Sequence, residues 1–130
     1  MIRRDDGDDW LLISQVEHAR LAGEIAAAWG NSAVPALPHP EWLISAVRDH
    51  DEGWRAWELA PRIDPSTGRP RDFTEMPIGD SLVIWRTSIE RAVEMSDLGG
   101  FAVAGHFRAL LTHSACSELG LESATIPAPA

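Results

Sequence analysis

Residues 41–54, EWLISAVRDHDEGW, combine the clearest helical pattern of the chain with its densest chemistry. The acidic side chain of Glu41 suits a first helical turn, because it interacts favourably with the positive end of the helix dipole. Apolar residues then recur every three or four positions, the period of a helix with one buried face. These residues are Trp42, Leu43, Ala46 and Val47. We expect the helix to end near His50 or Asp51, with Gly53 at its exit, so that it carries a His-Asp pair at its end.

An earlier helix is predicted directly after a short apolar, strand-like segment at residues 10–14. Ser14 and Glu17 match the Ser-x-x-Glu capping box, which satisfies free N–H groups at a helix start. The helix should run to about Trp29, before Gly30. Its predicted buried stripe consists of Val16, Leu21, Ala22, Ile25 and Trp29.

Two more helices are predicted in the C-terminal half. Asp80 or Ser81 can cap the first of them, and the pair Gly99 and Gly100 is expected to break it. The predicted apolar face of this helix comprises Leu82, Trp85, Ile89, Ala92 and Val93. The last helix should cover about residues 101–116. The expected fold class is therefore mainly α, a compact domain of about four helices with a short N-terminal strand-like segment and a long loop.

Length and composition favour one domain. The chain has 130 residues, of which 45% are hydrophobic and 24% are charged, a globular composition. We expect a single helical domain over residues 1–120 and a flexible Ala/Pro-rich tail over residues 121–130. The pattern leaves a homo-oligomer open.

The charge and the cysteine count restrict the expected partners and compartment. The formal net charge is −9, which disfavours nucleic acid and anionic membrane surfaces, so a small molecule is the expected partner. The single cysteine, Cys116, cannot form an internal disulfide, and no apolar leader precedes the first helix. We therefore expect a cytoplasmic, bacterial-type protein.

Three histidines on three different helices share a face with apolar residues. These are His18, His50 and His106. Burying an imidazole without a partner costs about 1–3 kcal/mol, and a shared metal ion would satisfy all three rings together. With Asp51 as a fourth ligand, such a site could hold Zn, Mn or Fe(II). The alternative is a set of core histidines, each bonded to its own backbone carbonyl. His113 is a second candidate on the face of His106.

Other residues near the His-Asp pair have two interpretations each. Asp49 and Glu52 could orient a ligand or act as general base, or they could be a solvated acidic helix end. Trp54 could form the wall of a substrate pocket or could pack in the core.

Residues 61–77 form a long, proline-rich segment without helical or strand periodicity, and such loops are often functional. Arg69 and Arg71 make a positive patch there that could bind an anionic substrate group through bidentate hydrogen bonds. The alternative is a structural loop in which arginines pair with Asp64 and Asp72.

Four motifs resemble one family: HARLAG at 18–23, VRDHDEGW at 47–54, DPSTGRP at 64–70 and DFT at 72–74. They are similar to the domain of unknown function 3891 (DUF3891) from the N-terminus to about Leu111. This resemblance implies no activity. His18, His50 and Asp51 also resemble the HD-domain metal phosphohydrolases, which implies an HD-like helical bundle with a metal centre. The late Asp of the HD pattern has no obvious counterpart here.

These patterns predict a metal-dependent hydrolase, with His18, His50, Asp51 and His106 as ligands of a divalent ion. Its expected substrate is an anionic small molecule, with a phosphoester as one candidate, which would be contacted by Arg69, Arg71 and Trp54. A non-catalytic metal-binding or small-molecule-binding module and an interaction domain with structural histidines are the two alternatives.

Overall fold

The structure is a computed structural model that describes residues 1–36 and 41–118, with side chains up to residue 112 within the last helix. It contains β1 (Ile2–Asp6), β2 (Asp9–Ile13), α1 (Gln15–Ala27), α2 (Glu41–Asp49), the single turn α3 (Arg55–Glu58), α4 (Ile78–Met95) and α5 (Asp97–Glu118). The predicted mainly helical fold is confirmed. The proposed tail at 121–130 and the side chains of His113 and Cys116 lie outside the described part.

The N-terminal strands form an antiparallel hairpin. Ile2 pairs with Ile13 and Asp6 pairs with Asp9, while Gly7 turns the chain with a φ of 68°. The sequence pattern predicted only the second strand, because β1 is mostly charged and such residues are depleted in strands. Tertiary contacts hold β1 instead: the Arg3 backbone N–H donates to Asp72, and its guanidinium donates to Glu75.

The start of α1 is capped by a residue distant in sequence as well as by a local one. Ser14 Oγ accepts a hydrogen bond from the Glu17 N–H at 3.3 Å, as the capping box predicts. The Glu17 carboxylate, however, pairs with Arg20. Glu58 of α3 takes its place, accepting hydrogen bonds from Ser14 Oγ and the Gln15 N–H at 2.6 Å each. The beginning of α1 is therefore tied to α3.

The predicted buried stripe of α1 is largely wrong. Leu21, Ile25 and Trp29 are each more than half exposed. The helix instead packs through small side chains, since a Cβ on Gly23 would lie 2.7 Å from the Cβ of Arg48 on α2. The buried residues of α1 are Gln15, Val16, Ala19 and Gly23. The close approach of the α1 and α2 backbones therefore determines which face of α1 is buried, rather than the size of its apolar side chains.

The predicted helix break at Gly99 and Gly100 is also wrong, because both lie in the first turns of α5. The break falls at Ser96, which is extended (φ −168°, ψ 135°) and ends α4. A Cβ on Gly100 would lie 2.3 Å from a methyl of Val93, so the glycine allows α5 to begin in contact with α4.

The face of α4 likewise differs from the prediction. Leu82 and Val93 are both 48% exposed. The buried residues are Ser81, Ile84, Ser88 and Ala92. Two of these are serines, which a prediction from apolar periodicity places on the surface. The buried face of α4 therefore has smaller and more polar side chains than expected.

The core consists of two apolar clusters joined by Trp85. One cluster joins α2, α4 and α5, and its buried members are Ala46, Ala92, Val103 and Phe107. The other joins α1, α4 and the turn after α2, and its members are Val16, Trp54 and Ile84. Together they hold the end of α2 beside α1, α4 and α5. Within the described residues, every helix is too short or too polar to cross a membrane.

Candidate metal centre

The turn that follows α2, residues 50–54, is packed tightly onto α4. The Gly53 N–H donates to Ser88 Oγ at 2.9 Å, and Ser88 is fully buried. A Cβ on Gly53 would lie 2.0 Å from the Ile84 carbonyl oxygen, closer than two non-bonded heavy atoms can approach. Only glycine therefore fits at this position, and its contact with α4 fixes the backbone that carries His50 and Asp51.

The hydrogen bonds of His50 define which ring nitrogen carries the proton. Its Nδ1 lies 2.6 Å from the Val47 carbonyl oxygen, which can only accept. Nδ1 must therefore donate, and Nε2 of the neutral ring holds a free lone pair. This arrangement, with a backbone carbonyl orienting the ring, is the usual one for a metal-binding histidine.

The free nitrogen of His50 faces the carboxylate of the next residue. Nε2 lies 3.3 Å from Asp51 Oδ2, and Asp51 is only 4% exposed. Two acceptors at this distance require a cation between them, either a proton or a metal ion. Burial lowers the pKa of His50, but the bond to Asp51, the charge of Asp51 and the Val47 carbonyl outweigh it and raise the pKa overall.

His18 of α1 completes a cluster with this pair. One ligand atom from each of His18, His50 and Asp51 lies within 4.8 Å of the others. The rings of His18 and His50 meet edge to face, with centroids 6.1 Å apart. His18 is exposed, His50 is half-buried and Asp51 is buried, so the cluster opens to solvent on the side of α1. This set of donors could hold a divalent metal ion.

His106 of α5 stands on the other side of His50. Their ring centroids are 4.9 Å apart, but His106 is not part of the group whose ligand atoms fall within 4.8 Å. Burial lowers the pKa of His106, and the neighbouring rings of His50 and His18 lower it further, so its neutral form is favoured. The fourth predicted ligand thus adjoins the cluster without joining it.

The two acidic residues proposed as catalytic assistants face elsewhere. Asp49 lines a separate cavity of about 140 Å³ with Trp42 and Met95, and burial together with the charge of Glu52 raises its pKa. Glu52 accepts two hydrogen bonds from Arg55, at 2.8 and 2.6 Å, which hold its pKa below the usual value. Neither carboxylate belongs to the His-His-Asp cluster.

The residues proposed to contact substrate have partners outside the cluster. Trp54 is 2% exposed and packs with Val16 and Ile84, as the core-packing alternative expects. The guanidinium of Arg69 lies 5.6 Å from the Trp10 ring centroid. Arg71 pairs with Asp64 at 3.4 Å, in agreement with the structural alternative for this loop.

Three groups that shape the site were not identified as such from the sequence. They are the Val47 carbonyl, Gly53 and Ser88. The sequence treated Gly53 only as a helix exit, although its place between the His-Asp pair and a tryptophan was a usable signal. Ser88 had no signal, because its partner lies 35 positions away.

The fold and the cluster define a mainly helical protein with a His-His-Asp site suited to a divalent ion. The chain belongs to the family described as "Protein of unknown function (DUF3891)", which it matches over residues 1–124. This match confirms the resemblance drawn from the four motifs and extends it beyond Leu111. Comparisons with curated proteins and with solved structures find no match.

Proposed function

We propose that His18, His50 and Asp51 bind a divalent metal ion and that the protein is a metal-dependent hydrolase of small phosphoesters. The observation that carries the proposal is the close approach of His50 Nε2 to the buried Asp51 carboxylate, 3.3 Å away, with a ligand atom of His18 beside both. Zn, Mn and Fe(II) are the ions compatible with two imidazoles and one carboxylate.

Each of the three residues has a distinct task in this proposal. The Val47 carbonyl orients the His50 ring, so that Nε2 would be its ligand atom. The buried carboxylate of Asp51 would compensate the positive charge of the ion, and the exposed His18 would supply a ligand from the solvent side. A divalent ion with open positions lowers the pKa of a bound water, which produces a nucleophile near neutral pH. His106, next to His50, is the candidate for a fourth ligand.

The second candidate function is a non-catalytic metal-binding or small-molecule-binding module. A specific observation favours it: among the described residues, the nearby carboxylates Asp49 and Glu52 are directed into another cavity or paired with Arg55. A general base would accelerate the attack of a metal-bound water, and these two carboxylates are not placed to supply one. Metal binding without turnover would distinguish this module from the enzyme.

The test begins with untagged protein that has been freed of metal with a chelator. Titration with Zn²⁺ and Mn²⁺ by calorimetry, together with elemental analysis, should show uptake of one ion per chain. His18→Ala should weaken the binding by about 100-fold, because it removes a ligand. Since His18 is exposed, its truncation should leave the unfolding midpoint unchanged. Arg20→Ala, on the same helix and also exposed, is the matched control and should bind metal as the wild type does.

A panel of small phosphoesters then separates the two candidate functions. Metal-dependent release of phosphate that is lost in His18→Ala would support the hydrolase. Binding of metal without turnover would support the module. If the wild type and His18→Ala take up metal equally weakly, the hydrolase and the metal-binding module both fail.

A further inference from the structure

An apolar groove runs between α2 and α5 and leads to the metal cluster. Its volume is about 210 Å³, and its walls include Leu43 and Val47 from α2 and Ala102 from α5. His50 and His106 also line it. The groove is therefore continuous with the side of the cluster that faces away from α1.

The groove is lined mainly by apolar side chains. Its remaining lining residues are Ala46 and Val103, so among the described residues the two imidazoles are the only polar side chains in the lining, which includes no arginine or acidic residue. Apolar surface that enters such a groove leaves water, which favours binding. The space is small for a binding pocket and suits a short aliphatic chain or a single ring rather than a peptide helix.

The charge around the groove restricts the polar part of the ligand. The chain has a net charge of −9, and the two arginines expected to bind an anion contact Trp10 and Asp64 instead. A ligand with several phosphates would find no compensating side chain in the groove. A single anionic group, in contrast, can be neutralised by one divalent ion.

We propose that this groove binds the apolar part of an amphiphilic ligand, an alkyl or aryl phosphate monoester, whose phosphate reaches the metal centre. The position of the phosphate rests on the proposed function. The affinity of the groove for an apolar group does not. The two parts can therefore fail separately.

The first experiment tests the groove without metal or phosphate. 1-Hexanol is titrated into the metal-free protein, and chemical shifts are followed by NMR. Shifts concentrated at Val47 and Ala102, with saturation, would support the proposal, even if the protein binds no metal. Shifts spread evenly over the exposed apolar residues Leu21 and Phe101, with none at the groove, would overturn it.

The second experiment adds the anionic group. Methyl, butyl and hexyl phosphate are titrated into the Zn²⁺-loaded protein. Affinity should rise by about fourfold per fully buried methylene, the equivalent of about 0.8 kcal/mol, and by less when burial is partial. Equal affinity for the three esters would overturn the groove as the binding site of the chain and leave the metal centre itself intact.

A variant that fills the groove tests the location. Ala102→Leu replaces a methyl group of the half-buried wall by an isobutyl group and should weaken hexyl phosphate binding by about tenfold while leaving methyl phosphate binding unchanged. Ala56→Leu, an exposed substitution on α3, is the matched control. Equal chain-length dependence in Ala102→Leu and wild type would overturn the assignment. If Ala102→Leu does not fold, the ester series in the wild type decides.

Discussion

The turn at residues 50–54 and the loop at residues 61–77 are both rich in polar side chains, yet their polar groups are satisfied differently. In the loop, Asp64 accepts from Ser66 and pairs with Arg71, and Asp72 closes a capping box with Glu75. Most of these partners are close in sequence, and Arg3 of β1 supplies the positive charge that neutralises Asp72 and Glu75. In the turn, Nε2 of His50 faces the carboxylate of Asp51, which is buried and can only accept a hydrogen bond when ionised.

This difference teaches how to separate structural from chemical polar clusters in this molecule. A loop whose charges neutralise one another has no remaining demand for a ligand. A cluster of facing acceptors still lacks a positive charge, which a proton or a metal ion must supply. The same contrast extends to the backbone, because the turn is fixed by contacts with α4, whereas the loop forms its own short hydrogen-bonded turn around Gly68.

The largest effect should come from adding a methyl group to the turn. Gly53→Ala would place a Cβ 2.0 Å from the Ile84 carbonyl oxygen, so we expect a loss of about 3 kcal/mol in the free energy of unfolding, or no folded protein. Urea denaturation measures it. Gly79→Ala is the control, because a Cβ there meets nothing within 4 Å and should leave stability unchanged or slightly raised. A folded Gly53→Ala of wild-type stability would show that the turn is not held against α4.

The next effect concerns metal affinity. Asp51→Asn keeps the shape of the side chain and removes its charge, so we expect Zn²⁺ binding to weaken by about 100-fold. Calorimetry on the metal-free proteins gives the ratio. Asp64→Asn makes the same chemical change in the loop and should bind Zn²⁺ as the wild type does. Equal losses in both variants would mean that net charge, rather than a specific site, determines the affinity.

A smaller effect is expected for the hydroxyl that holds the turn. Ser88→Ala leaves the buried N–H of Gly53 without a partner, which should cost about 1–2 kcal/mol of the free energy of unfolding. Ser66→Ala removes an exposed hydroxyl of the loop and should shift the urea midpoint little. If the two serine variants unfold at the same midpoint, the bond to Gly53 contributes nothing measurable.

The smallest effect should come from the loop arginine. Arg71→Gln breaks a partly exposed ion pair with Asp64, and pairs of this kind contribute little to stability. We expect unchanged metal affinity, an unchanged urea midpoint and unchanged affinity for small phosphoesters. A marked loss of phosphoester affinity in Arg71→Gln would show that the loop binds substrate and would undo the contrast between the two regions.

The existence of the helices was predictable from the sequence because apolar periodicity is a local property. The start of α1 at Ser14 followed from its capping residues, and the His-Asp pair at the end of α2 was visible as a motif. The helix faces were less predictable. Leu21 and Ile25 of α1 match a buried stripe in spacing, but Gly23 packs against α2 and leaves them exposed.

The candidate site was likewise predictable only in part. The sequence predicted His18, His50 and His106 on buried helix faces. The rings of His18 and His50 do lie edge to face, but the predicted burial is wrong for His18 and His106, which are exposed. The roles predicted for Asp49 and Glu52 depended on direction, which sequence adjacency does not fix. Neighbouring positions on a helix point about 100° apart, and Asp49 consequently lines a different cavity from His50.

The sequence by itself determined the helical class, the motifs shared with the DUF3891 family and the candidate ligands, since each depends on residue type and short-range spacing. The tertiary structure alone decided which helix faces are buried and which polar residues meet. Those outcomes depend on how closely neighbouring elements approach at Gly23, Gly53 and Gly100, where the absence of a side chain allows the contact.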